Sequence, residues 1–156
     1  MAPLNQEEFT IVERILIEDE GIRKFPYLDC CGLAWRKCVC QNKGKLTIGV
    51  GRNLDDVGIS DDEITNLQVN DVKKITLELE KNFRWFQSLN TPRRIVIVSM
   101  AFNLGIPRLK DFKKMIEAIE SGNFELAAIE MLHSSWSKQV KDRAKRLAVI
   151  MMNGQI

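Results

Sequence analysis

A single histidine, His133, stands in the 156 residues. Metal sites built from several imidazoles are therefore excluded, only one His-dependent nucleophile is conceivable, and acid–base chemistry falls first to the 21 Asp and Glu. Charge of one sign is also missing: 23 Lys and Arg leave a net charge of +2, too little for a dedicated nucleic-acid binder, so no nucleic-acid partner is expected. The densest apolar run, Ile95 to Leu104, is broken by Ser99 and Asn103 and falls far short of the ~20 residues that span a bilayer. It reads as a core helix, and no stable membrane insertion is expected. Met1 to Glu20 carries Glu7, Glu8, Glu13 and Arg14 among its apolar residues, unlike a secretory signal. Repeats, low-complexity tracts and long linkers are absent. The remainder, 45% hydrophobic and 28% charged, is ordinary globular composition at about the size of one domain.

Local signals set an order of elements. Asn5 with Glu8 has the form of a capping box, and Phe9, Val12 and Leu16 recur at helical spacing before Gly21, predicting a helix over about 5–20. From Phe25 to Gly51 the residues turn to Cys, Gly, Trp and β-branched types, with Asn42-Lys43-Gly44 as a turn, which predicts a small antiparallel sheet. Ser60 and Glu63 repeat the capping-box logic and open a helix over 60–82, with Ile64, Leu67, Val72, Ile75 and Leu79 as its apolar stripe. Thr91-Pro92 opens the 95–104 helix, whose apolar character on nearly all faces predicts that it is surrounded. Asp111 is expected to open a helix ending near Ser121-Gly122, Asn123 another to about Leu132, and Val140–Asn153 is the last, closed by Gly154.

Glu20 and Asp29 stand out among the acids. A helix C-terminus presents unpaired carbonyls that disfavour an anion, so Glu20 suits a proton donor. Asp29, on an extended polar segment, suits the complementary base, and two carboxyls in different surroundings can divide those roles. Thr47 precedes Gly49 and Gly51, where missing side chains let a ligand or a neighbouring backbone come close, and its hydroxyl could orient a water. Spacing alone favours solvated surface carboxylates for both acids.

The strings Ile17-Glu18-Asp19-Glu20-Gly21, Tyr27-Leu28-Asp29 and Leu46-Thr47-Ile48-Gly49-Val50-Gly51 shift that balance. Together they resemble the phage lysozyme (endolysin, T-even type) family, whose signature is a Glu, eight residues, an Asp or Cys, five residues and a Thr. Ser99 to Gly105 resembles the family's central buried helix, and Ser135 to Gln139 followed by Asp142-Arg143-Ala144-Lys145-Arg146 resembles its Trp…Arg-Ala-Lys-Arg segment. The resemblance implies Glu20 as general acid, Asp29 as the carboxylate handling the attacking water, Thr47 as the third active-site residue, and Arg143 as the arginine that pairs with the glutamate across a cleft. Asn103 and Gln139 belong to the same segments and are expected to bind substrate or support the site. Two departures accompany it. Seventeen residues separate Asp29 from Thr47 where the family has five, so about a dozen residues, Cys30 to Lys43, enlarge the turn beside the site. Asn53 to Ile59 is short where a T-even-type member has an additional helix.

The insert holds Cys30, Cys31, Cys38 and Cys40 in a Cys-Cys-x6-Cys-x-Cys pattern that lacks the two CxxC knuckles of common zinc sites. No metal and no cofactor is expected. Zinc, two disulfides in any of three pairings, and four reduced thiols all stay open. Trp35 is the expected sugar contact, Trp85 and Trp136 are expected in the core, and His133 in a packing or surface role. Lys138, Lys141, Arg143, Lys145 and Arg146 form a solvated cationic face that could also steer the chain to an anionic wall.

The expected fold is a mainly α, α+β lysozyme-like one, organised as a single 1–156 catalytic domain: an N-terminal lobe over 1–59, a connecting helix over 60–82 and a helical lobe over 83–156, with the cleft between the lobes. The implied activity is an inverting glycoside hydrolase, an endolysin that cleaves the β-1,4 bond between N-acetylmuramic acid and N-acetylglucosamine in bacterial peptidoglycan for host-cell lysis. A monomer is expected, held in the host cytoplasm until a holin opens the way to peptidoglycan in the periplasm. The rivals are a lytic transglycosylase, which leaves anhydro-muropeptides, and a non-catalytic cationic binder of wall or membrane.

Overall fold

The computed structural model describes residues 4–156. Two compact units meet within one helix, the first running to Ile64 and the second from Thr65 to Ile156.

The first unit begins with α1, Gln6–Glu20, and its capping box is formed as expected. Asn5 accepts from the Glu8 N–H, and the Glu8 carboxylate accepts from the Asn5 N–H. Gly21 ends the helix at φ 70°, a left-handed value suited to glycine. Phe9, Val12 and Leu16 keep their helical spacing, yet no residue of α1 is buried. A three-stranded antiparallel sheet follows, built from β1 (Arg23–Leu28), β2 (Leu46–Gly49) and β3 (Arg52–Asn53) in that order. Its register sets Leu28 opposite Leu46, Tyr27 opposite Thr47, and Thr47 opposite Asn53. Between β1 and β2, residues 29–45 loop out through a short 3-10 turn, Trp35–Lys37. Leu28 is the one buried hydrophobic residue described in this unit and Thr47 the one buried polar residue.

Helix α2, Asp61–Asn82, starts at the predicted capping box, with the Ser60 N–H and hydroxyl both donating to Glu63 Oε2. Its apolar stripe corrects the expectation. Only Leu79 is buried and Ile75 partly so, while Ile64, Leu67 and Val72 are exposed. The second unit is helical throughout: α3 (Thr91–Leu104), α4 (Ile106–Leu109), α5 (Lys113–Glu120), α6 (Phe124–His133), α7 (Ser135–Val140) and α8 (Asp142–Asn153). They enclose a core that includes Phe83, Trp85, Phe86, Leu109, Met131 and Trp136. Val96, Ile97, Met100 and Ala101 bury one face of α3, but Ile95 and Phe102 are exposed, so the helix is not enclosed on every side.

Caps explain the remaining differences from expectation. Asn90, not Thr91, caps α3 by accepting from the Arg93 N–H, with Pro92 in the first turn. Asp111 does not open α5. It lies in the turn that closes α4, where its N–H donates to Arg108 O, and α5 starts after Phe112 with no side-chain cap. Asn123 caps α6 as predicted. The last helix begins at Asp142 rather than Val140 because Lys141, at φ 48°, breaks the chain between α7 and α8. Gly154 closes α8 in the left-handed conformation. Among the described residues, no helix is long and apolar enough to cross a membrane.

Candidate active site

Both candidate carboxylates lie in the first unit, each against a glycine of the sheet region. Glu20 is the last residue of α1, and its side chain lies over Gly51 in the β2–β3 turn. A Cβ built on Gly51 would stand 3.0 Å from Glu20 Oε2, 3.2 Å from Cδ and 3.3 Å from Cγ. The close approach expected at the two hairpin glycines thus occurs at Gly51, and the visitor is Glu20. At Gly49 a Cβ would meet nothing within 4 Å, so that glycine serves the turn through its φ of 68°.

Asp29 follows β1 and is anchored by the main chain of Lys45. The Lys45 N–H donates to Asp29 Oδ1 at 2.8 Å, and the Asp29 N–H donates to Lys45 O at 3.1 Å. The Thr47 hydroxyl donates to the same Lys45 carbonyl at 3.2 Å. One residue therefore ties Asp29 to Thr47, although seventeen residues separate them in sequence. The long insert does not disturb this relation because the ladder closes beneath it. Gly44 completes the arrangement: a Cβ there would collide with Asp29 Oδ1 and stand 2.7 Å from the Cys30 nitrogen. Lys45 and Gly44 had no signature in sequence. Main-chain donors look alike in every residue, and Gly44 reads as one more turn glycine.

The Lys45 ammonium turns the other way, pairing with Asp56 at 2.7 Å. That hydrogen bond and its charge hold Lys45 above the usual lysine range, with Asp55 and Asp29 adding to the effect. It also holds Asp56 below the usual carboxylate range, helped by the Asn53 amide. The Asp55 carboxylate accepts from the Leu46 N–H. Arg52 donates to Glu63 at 2.9 Å and to the Gly58 carbonyl at 2.7 Å, fastening the strand end to the start of α2.

The insert gathers its four cysteines. Their Sγ atoms all lie within 4.8 Å of one another. Cys38 is held below the usual thiol range, chiefly by a backbone hydrogen bond from Cys40, and Cys40 is pushed up to about 12 by hydrogen bonding with Cys38 and then Cys30. Trp35 is exposed, with Arg36 and Lys43 cations 5.6 and 5.7 Å from its ring centre.

The other expected residues lie in the second unit. Arg143 is on the first turn of α8 and lines a cavity of about 820 Å³ with Arg94, Arg146 and the apolar Ile95, Val98 and Phe102. Asn103, on α3, accepts from the indole N–H of Trp136 at 2.8 Å. Gln139 is exposed on α7. Trp85 and Trp136 are core residues and His133 is exposed, all as expected.

This combination, helices with a small antiparallel sheet, is a mainly α, α+β lysozyme-like fold. The chain belongs to the phage lysozyme family, whose family model matches residues 18–150 and so includes Glu20, Asp29, Thr47 and Arg143. The pre-baseplate central spike protein Gp5 of Enterobacteria phage T4 is 27% identical over 159 residues, covering 91% of this chain and 28% of that protein. Two probable T4-type lysozymes of Dictyostelium discoideum, lysozymes 2 and 1, are each 28% identical over 71 residues, covering 46% of this chain and 42% of theirs. The chain thus spans less than half the length of these relatives.

Proposed function

We propose that this chain is a lysozyme that hydrolyses the β-1,4 bond between N-acetylmuramic acid and N-acetylglucosamine in bacterial peptidoglycan. The observation that carries the reading is the Lys45 main chain holding Asp29 and Thr47 together beside the sheet whose hairpin turn supports Glu20. Glu20 gives its proton to the leaving glycosidic oxygen. Asp29 takes a proton from the water that attacks the anomeric carbon from the opposite face, so the product is inverted. The Lys45 N–H occupies Asp29 Oδ1, leaving the second oxygen for that proton. Thr47 spends its own proton on the Lys45 carbonyl, so it meets the water as an acceptor and orients it. Arg143, Asn103, Gln139 and Trp35 act in substrate binding or support.

Glu20→Gln, assayed on purified cell walls, is expected to abolish hydrolysis with the far-UV circular dichroism unchanged. A variant that still lyses purified walls would refute Glu20 as the acid, and one that is inactive on walls yet kills cells at the wild-type rate would establish the cationic binder instead. Mass spectrometry of the released muropeptides is expected to show reducing ends, and anhydro ends would establish a transglycosylase.

The biological role in this reading is an endolysin: a monomer in the host cytoplasm that reaches the periplasmic wall through a holin lesion. The spike protein that aligns with 91% of this chain favours a second reading, a wall-penetrating module carried on the particle. Proteomics of purified particles against the lysate separates the two, since an endolysin stays with the lysate.

A further inference from the structure

Residues 30–44 carry little that could hold them in place. Leu33, Trp35 and Val39 are all exposed, Val39 at 93%, so no apolar core forms within the loop. Two backbone turns nevertheless converge its cysteines. In the first, the N–H groups of Cys31 and Gly32 donate to Leu28 O at 3.3 and 2.8 Å, the Leu28 N–H donates to Leu33 O at 2.9 Å, and Arg23 braces the turn by donating to Gly32 O at 2.8 Å. In the second, the 3-10 turn, the N–H groups of Lys37 and Cys38 donate to Ala34 O and Trp35 O at 2.8 and 3.4 Å. These turns do the work that paired CxxC knuckles do elsewhere.

The sulfur geometry suits a single tetrahedral ion held by four thiolates, as Zn²⁺ is. A Zn–S bond of about 2.3 Å in a tetrahedron puts neighbouring sulfurs about 3.8 Å apart. Cys30 and Cys38 Sγ are 3.8 Å apart, and all four sulfurs are mutually within 4.8 Å. Two disulfides would instead split the set into pairs at about 2.05 Å, and all four cysteines are free. Charge agrees. Four thiolates around a divalent ion leave a dianion, and residues 30–44 supply Arg36, Lys37 and Lys43 with no Asp or Glu.

We propose that Cys30, Cys31, Cys38 and Cys40 bind one Zn²⁺ as a closed, four-thiolate structural site that fixes this loop. Binding releases the four thiol protons, with no change of oxidation state, and all four ligand positions are filled by protein, so the ion carries no substrate. Through Gly44, whose Cα packs on Asp29 and Cys30, the ion steadies the segment that precedes Lys45.

The test is made on the full chain, expressed in zinc-supplemented medium and purified under reducing conditions without chelator. Elemental analysis is expected to give one zinc per chain, and native mass spectrometry the matching mass. The thiols are expected to react with a disulfide reagent only after a strong chelator is added. Replacing zinc by Co²⁺ is expected to produce the visible bands of tetrahedral cobalt thiolate. Cys40→Ser is expected to weaken zinc binding by about 100-fold, one ligand's share of a structural zinc affinity. Metal-free protein with four reactive thiols, a mass lower by four hydrogens, or bound iron in place of zinc would each overturn the assignment. Because the readouts are metal content and spectra, the result is independent of whether Asp29 acts in hydrolysis.

Discussion

Gly49 and Gly51 bracket one hairpin turn with nearly the same φ, 68° and 67°, yet only Gly51 touches a proposed catalytic group. Alanine at either position must adopt a left-handed conformation costing about 1–2 kcal/mol, which for a chain of this size lowers Tm by roughly 2–4 °C per kcal/mol. The two variants should therefore lose similar stability. Their effects on Glu20 differ. At Gly51 the new methyl stands 3.0 Å from Oε2, where ordinary contact begins near 3.4 Å, and Cδ and Cγ are crowded as well. The exposed glutamate yields more readily than the hairpin, so its end gives by about 0.4 Å at the oxygen; with a 1 Å misplacement costing on the order of 100-fold in rate, this shift costs on the order of tenfold. Gly49→Ala crowds nothing. We expect Gly51→Ala to lose on the order of tenfold in turnover on purified cell walls while Gly49→Ala stays within about twofold of wild type, with matched losses in thermal melts. Equal activities in the two variants would refute the placement of Glu20 as the proton donor.

Gly44→Ala should be harsher, because its methyl meets the Cys30 backbone as well as Asp29, and it is expected to lower both Tm and activity. An unchanged melt would contradict that packing. Glu63 is held below the ordinary carboxylate range, first by the Ser60 N–H, then by the Ser60 hydroxyl, with the Arg52 charge adding to them. Its contribution is thus present above the unfolded value near 4.5 and fades as pH falls through the lower folded value. Urea titrations should show Glu63→Gln less stable than wild type at pH 7, with the gap closing below about pH 4. Lys45 works in the opposite direction: its raised value makes its contribution complete below 10.5 and lost only as pH climbs past the folded value. Neutralising Lys138, Lys141 and Lys145 should slow wall lysis more at low salt than at high salt, and rates indifferent to both would exclude steering.

What could be read from the sequence was whatever depends on side chains a few residues apart. The Asn5–Glu8 and Ser60–Glu63 boxes and the caps at Asn123 and Gly154 are local chemistry, and the structure forms them. Asp111 misled because α4 intervenes: a residue that resembles the start of one helix is occupied in closing another. Lys141 misled for a different reason: lysine carries no preference for positive φ, so nothing in its identity marks the break at φ 48° between α7 and α8. In the candidate site, the identities of Glu20, Asp29 and Thr47 were visible, but their relation was not. It runs through the peptide groups of Lys45 and the bare Cα atoms of Gly44 and Gly51, which no residue-type pattern records. Nor could the Cys-Cys-x6-Cys-x-Cys spacing reveal that two turns would bring the sulfurs within reach of one centre.

The rung at Asp29 and Lys45 gives the loop above it the character of an attachment port. Chain inserted beyond a closed rung adds only a slowly growing entropic cost, about 0.6 kcal/mol per doubling of its length, and leaves the spacing of the groups below the rung untouched. A shorter turn, or a wall-recognising segment of similar length grafted between Cys30 and Gly44, could be exchanged there while Asp29 and Thr47 keep their common anchor.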